Sequence, residues 1–158
     1  MELVKGVKVY KNTEAKHDVP PDEMPIDCPR TIRVKGDGNC FFRAIALVVC
    51  GNQEEHALFR RLVASFMLSN AVLLHRVCTS VEQHLETSKM ASETVWATDI
   101  EIHAAATMLQ TPIMVYSKYG SCFKWLKFAP LNNAFSHADE SVYLVNASDH
   151  YEPIKAHV

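Results

Sequence analysis

The 158-residue sequence predicts an α+β domain, a small sheet packed against helices. Two observations carry this. Through the first two thirds of the chain apolar residues recur at helical spacing, and after Pro112 the pattern changes to short apolar runs separated by turn signals. Helices first and strands afterwards is the segregated layout of that class. The length suits one domain, able to bury roughly 70% of its unfolded surface. Hydrophobic residues make up 48% and charged residues 22%, a balance that argues against disorder over the whole chain.

Taken in order, residues 11–30 hold Pro20, Pro21, Pro25 and Pro29 among scattered charges, which reads as an extended arm. The expected division is an arm over residues 1–30 and one domain over 31–158, with no internal repeat. Cys40 to Val49 is densely apolar without Gly or Pro and predicts a buried helix. Asn52 with Glu55 forms a capping-box pattern ahead of Leu58, Phe59, Leu62, Val63, Phe66 and Met67 at helical spacing. Thr79 with Glu82 repeats the box before Val81 and Leu85. Thr98 with Glu101 repeats it again, opening a helix to about Leu109. Strands are predicted at Ile113 to Tyr116, at Cys122 to Phe128 after a Tyr119-Gly120 turn, at Val142 to Val145, and at Tyr151 to Ile154.

Composition narrows the function. A formal net charge of -2 gives no global attraction for nucleic acid or an anionic membrane. Arg43, Arg60 and Arg61 form no stripe interleaved with aromatics. The start of the chain builds no secretory h-region, and the apolar stretch Ala44 to Cys50 is far short of the ~20 residues a membrane helix needs. The sequon Asn146-Ala147-Ser148 is therefore read as chance. Cysteines at 28, 40, 50, 78 and 122 are odd in number and lack a C-x-x-C pair, which favours reduced thiols in a cytoplasmic or nuclear setting. His75 and Cys78 have the spacing of half a metal site, but no second pair stands nearby, so no metal or cofactor is expected. Phe123, Trp125 and Phe128 read either as a contact patch or as hairpin packing.

The chemistry concentrates in Lys35-Gly36-Asp37-Gly38-Asn39-Cys40-Phe41-Phe42-Arg43-Ala44. A tight glycine loop running into an apolar helix puts Cys40 at a helix N-terminus, where unpaired N–H groups and the macrodipole favour thiolate. The same N–H groups would cradle an oxyanion. Cys28, Cys50, Cys78 and Cys122 lack such a setting and are read as inert. A thiolate nucleophile wants a fixed base, and His150 is the best placed of the eight histidines, just beyond a strand and the polar loop Asn146 to Asp149. Glu152 lies two residues on, on the same side of an extended chain, and would orient the imidazole. By spacing alone, a cysteine after a Gly-rich loop is more often a buried structural residue, a lone His a packing residue and Trp96 a core aromatic.

Three blocks in order resemble the OTU (ovarian tumour) family of deubiquitinating cysteine peptidases. Asp37 to Ala44 resembles its catalytic-cysteine motif, Trp96-Ala97-Thr98-Asp99-Ile100-Glu101-Ile102-His103-Ala104-Ala105-Ala106 its central segment, and Tyr143-Leu144-Val145 with His150-Tyr151-Glu152-Pro153-Ile154 its terminal strand and histidine. The likeness spans residues 33 to 154 and implies a papain-like cysteine peptidase with a small, mostly antiparallel sheet. It implies hydrolysis of the isopeptide bond between a ubiquitin C-terminus and a lysine, with ubiquitin or polyubiquitin as partner. By position, Cys40 is nucleophile and His150 base, and the backbone amides of Asp37, Gly38, Asn39 and Cys40 line the oxyanion hole. Trp96 is similar to a residue bordering the ubiquitin-tail channel. Glu152 stands where the family more often has Asp or Asn, so its longer side chain must reach His150 from another rotamer, and Asp37 is a rival for the orienting role. Two alternatives remain: a ubiquitin-binding module with weak or no catalysis, and a protease for a ubiquitin-like modifier.

Overall fold

The computed structural model describes residues 30–132 and 141–155; the predicted arm, except Arg30, lies outside them. Helix α1, Cys40–Cys50, is central. Of its eleven residues nine are buried, Phe41, Phe42 and Ile45 almost completely, so it is wrapped on all sides. Each such aromatic adds about 1.5–3 kcal/mol by leaving water, and Phe42→Ala would cost roughly 3–5 kcal/mol. Gly51 ends the helix in the left-handed conformation (φ 73°), its N–H reaching back to Leu47 O at 3.0 Å.

A single 3₁₀ turn, Gln53–Glu55, is capped by the Asn52 side chain, and α2, His56–Ser69, follows it. Its inner face is Phe59, Arg60, Val63, Ala64 and Met67. A short helix α3, Ala71–Leu74, continues from Asn70; four residues show no period, and the sequence did not predict it. Helix α4 spans Val81–Ser88 and is capped by Ser80, which accepts the Gln83 N–H. The box expected at Thr79 with Glu82 is thus displaced by one residue, because the neighbouring hydroxyl takes the cap. Helix α5, Asp99–Leu109, opens on the predicted capping box of Thr98 and Glu101.

Four strands follow: β1 Ile113–Tyr119, β2 Cys122–Phe128, β3 Val142–Ala147 and β4 His150–Pro153. Their order is β2-β1-β3-β4. The β1·β2 and β3·β4 pairs are antiparallel and β1·β3 is parallel, so the sheet is mixed. One face, with Ile113, Val115, Phe128, Val142, Leu144 and Tyr151, joins the helices in the main core. The other carries a smaller cluster of Tyr116, Val145 and Ile154 packed with Phe123, Trp125 and Tyr143. Tyr116 stacks on Phe123 at 4.8 Å and meets Trp125 at 4.9 Å. Sheet packing, rather than an open contact patch, accounts for the hairpin aromatics.

The end of the chain is held by its beginning. Ile32 N–H donates to Pro153 O at 2.8 Å, Lys155 N–H to Arg30 O at 2.7 Å, and Thr31 bridges to Ile154. This brings segment 30–36 alongside β4, and with it the loop that leads to α1.

Candidate active site

Cys40 begins α1, and Asn39 is its N-cap, with its carbonyl accepting the Arg43 N–H at 2.8 Å. Gly38 precedes it at φ +84°, a conformation that favours glycine. A Cβ there would lie 2.2 Å from Thr94 O, so the loop is pressed directly onto the segment before α5. Asp37 turns away from the thiol: its carboxylate pairs with Arg43 Nη2 at 2.7 Å and accepts the Asn39 N–H at 3.2 Å. The Arg43 guanidinium holds that carboxyl well below the usual aspartate range. Asp37 is therefore engaged with Arg43 rather than with His150, and the Asn39 N–H is already occupied.

The thiol is nearly enclosed, at 5% exposure. It donates to Asp149 O at 3.6 Å, the carbonyl just before His150. Burial pushes the Cys40 thiol up, and the N–H groups of Tyr151, Phe41 and Cys40 itself oppose this without reversing it. Loss of hydration on burial thus works against the amides at the helix start.

His150 opens β4 rather than preceding it, because β3 runs on to Ala147 and only two residues form the turn. Ser148 (φ 53°) and Asp149 (φ 60°) are both left-handed, as a two-residue I′ hairpin requires. On β4 the alternation puts His150 and Glu152 on one face and Tyr151 on the other, where it packs edge-on to Phe41 at 5.5 Å. His150 Nε2 stands 3.3 Å from Glu152 Oε2. An ionised carboxylate only accepts, so the proton on that side belongs to Nε2 and Nδ1 is left with a lone pair. The Nδ1–Cε1 edge faces Gly36, where a Cβ would come to 3.7 Å.

Glu152 is itself anchored. Oε2 accepts the Val34 N–H at 2.7 Å, and Oε1 accepts the Thr31 hydroxyl at 2.8 Å. Burial alone would raise its pKa, but hydrogen bonds from Val34, Thr31 and His150 outweigh it and keep the carboxyl below its ordinary range. The longer Glu side chain thus has its carboxylate held by the 31–34 segment that runs alongside β4.

The family described as OTU-like cysteine protease matches residues 35–151. The chain belongs to this family. Among curated proteins it is 30% identical over 90 residues to ovarian tumor domain-containing deubiquitinating enzyme 7 of Arabidopsis thaliana, covering 55% of this chain and 24% of that protein. The chain thus spans about a quarter of that relative's length. Among solved structures, the viral OTU domain protease of Dera Ghazi Khan virus aligns with TM-score 0.67 at 18% identity, covering 82% of each chain. The Hazara virus OTU, solved bound to ubiquitin, aligns with TM-score 0.63 at 14% identity over 82% of each chain. At these identities the structural likeness speaks for the fold, an OTU fold of helices and a small sheet.

In this OTU domain Trp96 is not a core aromatic: 58% of it is exposed, two residues beyond the Thr94 that touches Gly38. Sequence reasoning missed Thr31 and Val34, which hold Glu152, and the N–H of Tyr151 beside the thiol. It also passed over Arg60, whose signal was a cation on the apolar face of α2 beside Phe59 and Val63. His75 and Cys78 line a cavity of about 480 Å³ with His84, whose Nε2 is taken by Glu101 at 2.5 Å. Among the described residues no group of three or more His, Cys, Asp or Glu is placed to hold a metal.

Proposed function

We propose that this OTU domain is a cysteine-dependent deubiquitinase that hydrolyses the isopeptide bond between the C-terminal glycine of ubiquitin and a lysine amine. The observation that carries this is the pairing of an anchored His150–Glu152 couple with a thiol held on the backbone beside that histidine. Cys40 is the nucleophile, His150 the base and Glu152 the orienting acid. The relatives named as deubiquitinating enzymes, and the neighbour bound to ubiquitin, support the substrate class.

Sγ exchanges the Asp149 carbonyl for His150 Nδ1, which takes its proton as Sγ attacks the glycine carbonyl carbon. The oxyanion is met by loop amides other than that of Asn39, and the amide of Cys40 is best placed at the helix start. Collapse breaks the C–N bond, and the lysine amine leaves with the proton from His150. Water, deprotonated by the same imidazole, then cleaves the thioester, releasing the ubiquitin carboxylate and restoring the thiol. Exposed Trp96 borders the channel for the ubiquitin tail.

Ubiquitin carrying a C-terminal electrophile tests this. Prompt labelling that disappears in Cys40→Ala is the expected result. Ubiquitin binding without labelling would sink the enzyme reading in favour of a binding module. Labelling only by an analogous ubiquitin-like probe would transfer the activity to that modifier.

A further inference from the structure

We propose that Arg60 is a positioning residue, which locks the Cys40 loop to the segment carrying Trp96 and so sets the gap between nucleophile and channel wall. The inference rests on the reading of Cys40 as the nucleophile. Arg60 lies in the middle of α2 at 1% exposure. Its guanidinium donates through Nη2 to Asn39 Oδ1 at 3.0 Å and to Val95 O at 2.9 Å, and through Nη1 to Met90 O at 2.9 Å. Its face covers the Phe42 ring at 4.3 Å. Asn39 Oδ1 also accepts the Thr94 N–H at 2.7 Å. One amide oxygen, adjacent in sequence to Cys40, is therefore gripped from the helix and from the 90–95 segment together.

Nothing about the stability of α2 demands this. A buried cation is costly unless every donor finds a partner, and an apolar side chain would fill the helix face at less expense. What the planar fork supplies is three directed bonds, to two backbone carbonyls of the 90–95 segment and to one side-chain amide, which lysine cannot reproduce. Trp96 follows Val95 directly, and Cys40 follows Asn39, so the fork spans the two walls between which a substrate tail would run. Its positive charge also acts on Cys40, in company with Asp37 from the loop, the Asp149 carbonyl from the turn and Tyr151 from β4, while Glu93 and Glu101 act on Arg60 itself.

The test reads two quantities on full-length protein. The first is the pH dependence of Cys40 alkylation by iodoacetamide, resolved by peptide mass spectrometry, which needs no ubiquitin. The second is kcat and KM on a fluorogenic ubiquitin amide, per site titrated with the electrophilic probe and well below the melting temperature. For Arg60→Met we expect the alkylation midpoint to rise and kcat to fall about 10- to 100-fold, with KM changing less, since misplacement of the reacting group costs on this scale. Arg60→Lys should recover little, and exposed Arg61→Met should change neither reading. Asn39→Ala should reproduce the effect, and the double variant should lose no more than the worse single one.

Wild-type midpoint and kcat per titrated site in a folded Arg60→Met would overturn the proposal, as would simple additivity with Asn39→Ala. If Arg60→Met does not fold, Asn39→Ala decides alone by the same two readings. Failure of the wild type to react with ubiquitin would instead count against the deubiquitinase reading, leaving the alkylation result to judge the lock.

Discussion

Glu152→Gln separates charge from geometry in this site. Oε2 receives the Val34 N–H at 2.7 Å and faces His150 Nε2 at 3.3 Å, and Oε1 receives the Thr31 hydroxyl at 2.8 Å. A glutamine that places its oxygen at the Oε2 position keeps the first two contacts. Its NH₂ then faces Thr31, whose hydroxyl can rotate to accept. Only the charge assistance is lost. At 3.3 Å, with 33% and 22% of the two side chains exposed, that assistance is longer than a strong ionic hydrogen bond and is screened by solvent. About 1 kcal/mol of imidazolium stabilisation should disappear, which converts to about fivefold in kcat/KM. Glu152→Ala differs, because it leaves the Val34 N–H and Thr31 hydroxyl without their acceptor, at about 1–3 kcal/mol. It also frees the ring to turn, so activity should fall about 100-fold. His150→Ala should exceed both. Hydrolysis of a fluorogenic ubiquitin amide, with a thermal melt of each variant, measures the series. A Gln variant as inactive as His150→Ala would refute the reasoning, since charge rather than hydrogen-bond geometry would then hold the base.

The other predictions concern the scaffold. Gly38→Ala should lower stability by about 2 kcal/mol or more and cut probe labelling, since its Cβ would lie 2.2 Å from Thr94 O at φ +84°; a wild-type melting temperature would contradict it. Ser148→Gly should raise stability by about 0.5–1 kcal/mol, because φ 53° suits glycine; chemical denaturation reads this directly. Asp37 and Glu152 both have folded-state pKa values below their ordinary ones. Their contribution is therefore complete above the ordinary carboxylate range and is lost as pH falls through that range towards the folded-state values. Melting temperature followed against pH should show an acid limb that is shallower in Asp37→Asn, and an unchanged slope would dissociate the Asp37–Arg43 pair from acid stability.

Local signals carried much of the fold. The run from Cys40 is helical because it lacks breakers and is apolar on every side, and Thr98 with Glu101 caps α5 as its spacing indicates. The Cys122–Phe128 strand begins and ends where its turn and β-rich residues place it. What was not legible depends on distant partners. The parallel pairing of β1 with β3 has no local signature. The Ser148–Asp149 turn escaped notice because neither residue is the glycine or asparagine that advertises left-handed backbone. The thiol's environment also misled: a helix start is visible in sequence, whereas 5% exposure is a property of the packed molecule. Arg60 and Asn39 are separated by 21 positions, and only packing joins them.

The bond between Thr31 and Glu152 closes a span of 121 residues, and that between Cys40 and Asp149 one of 109. Contacts of such long range close large loops, and chains rich in them fold slowly. A ribosome-bound chain that has already displayed Cys40 and completed α1 therefore lacks both bonds until its last strand docks beside residues 31–34. On the proposed reading, competence arrives only with completion of the domain.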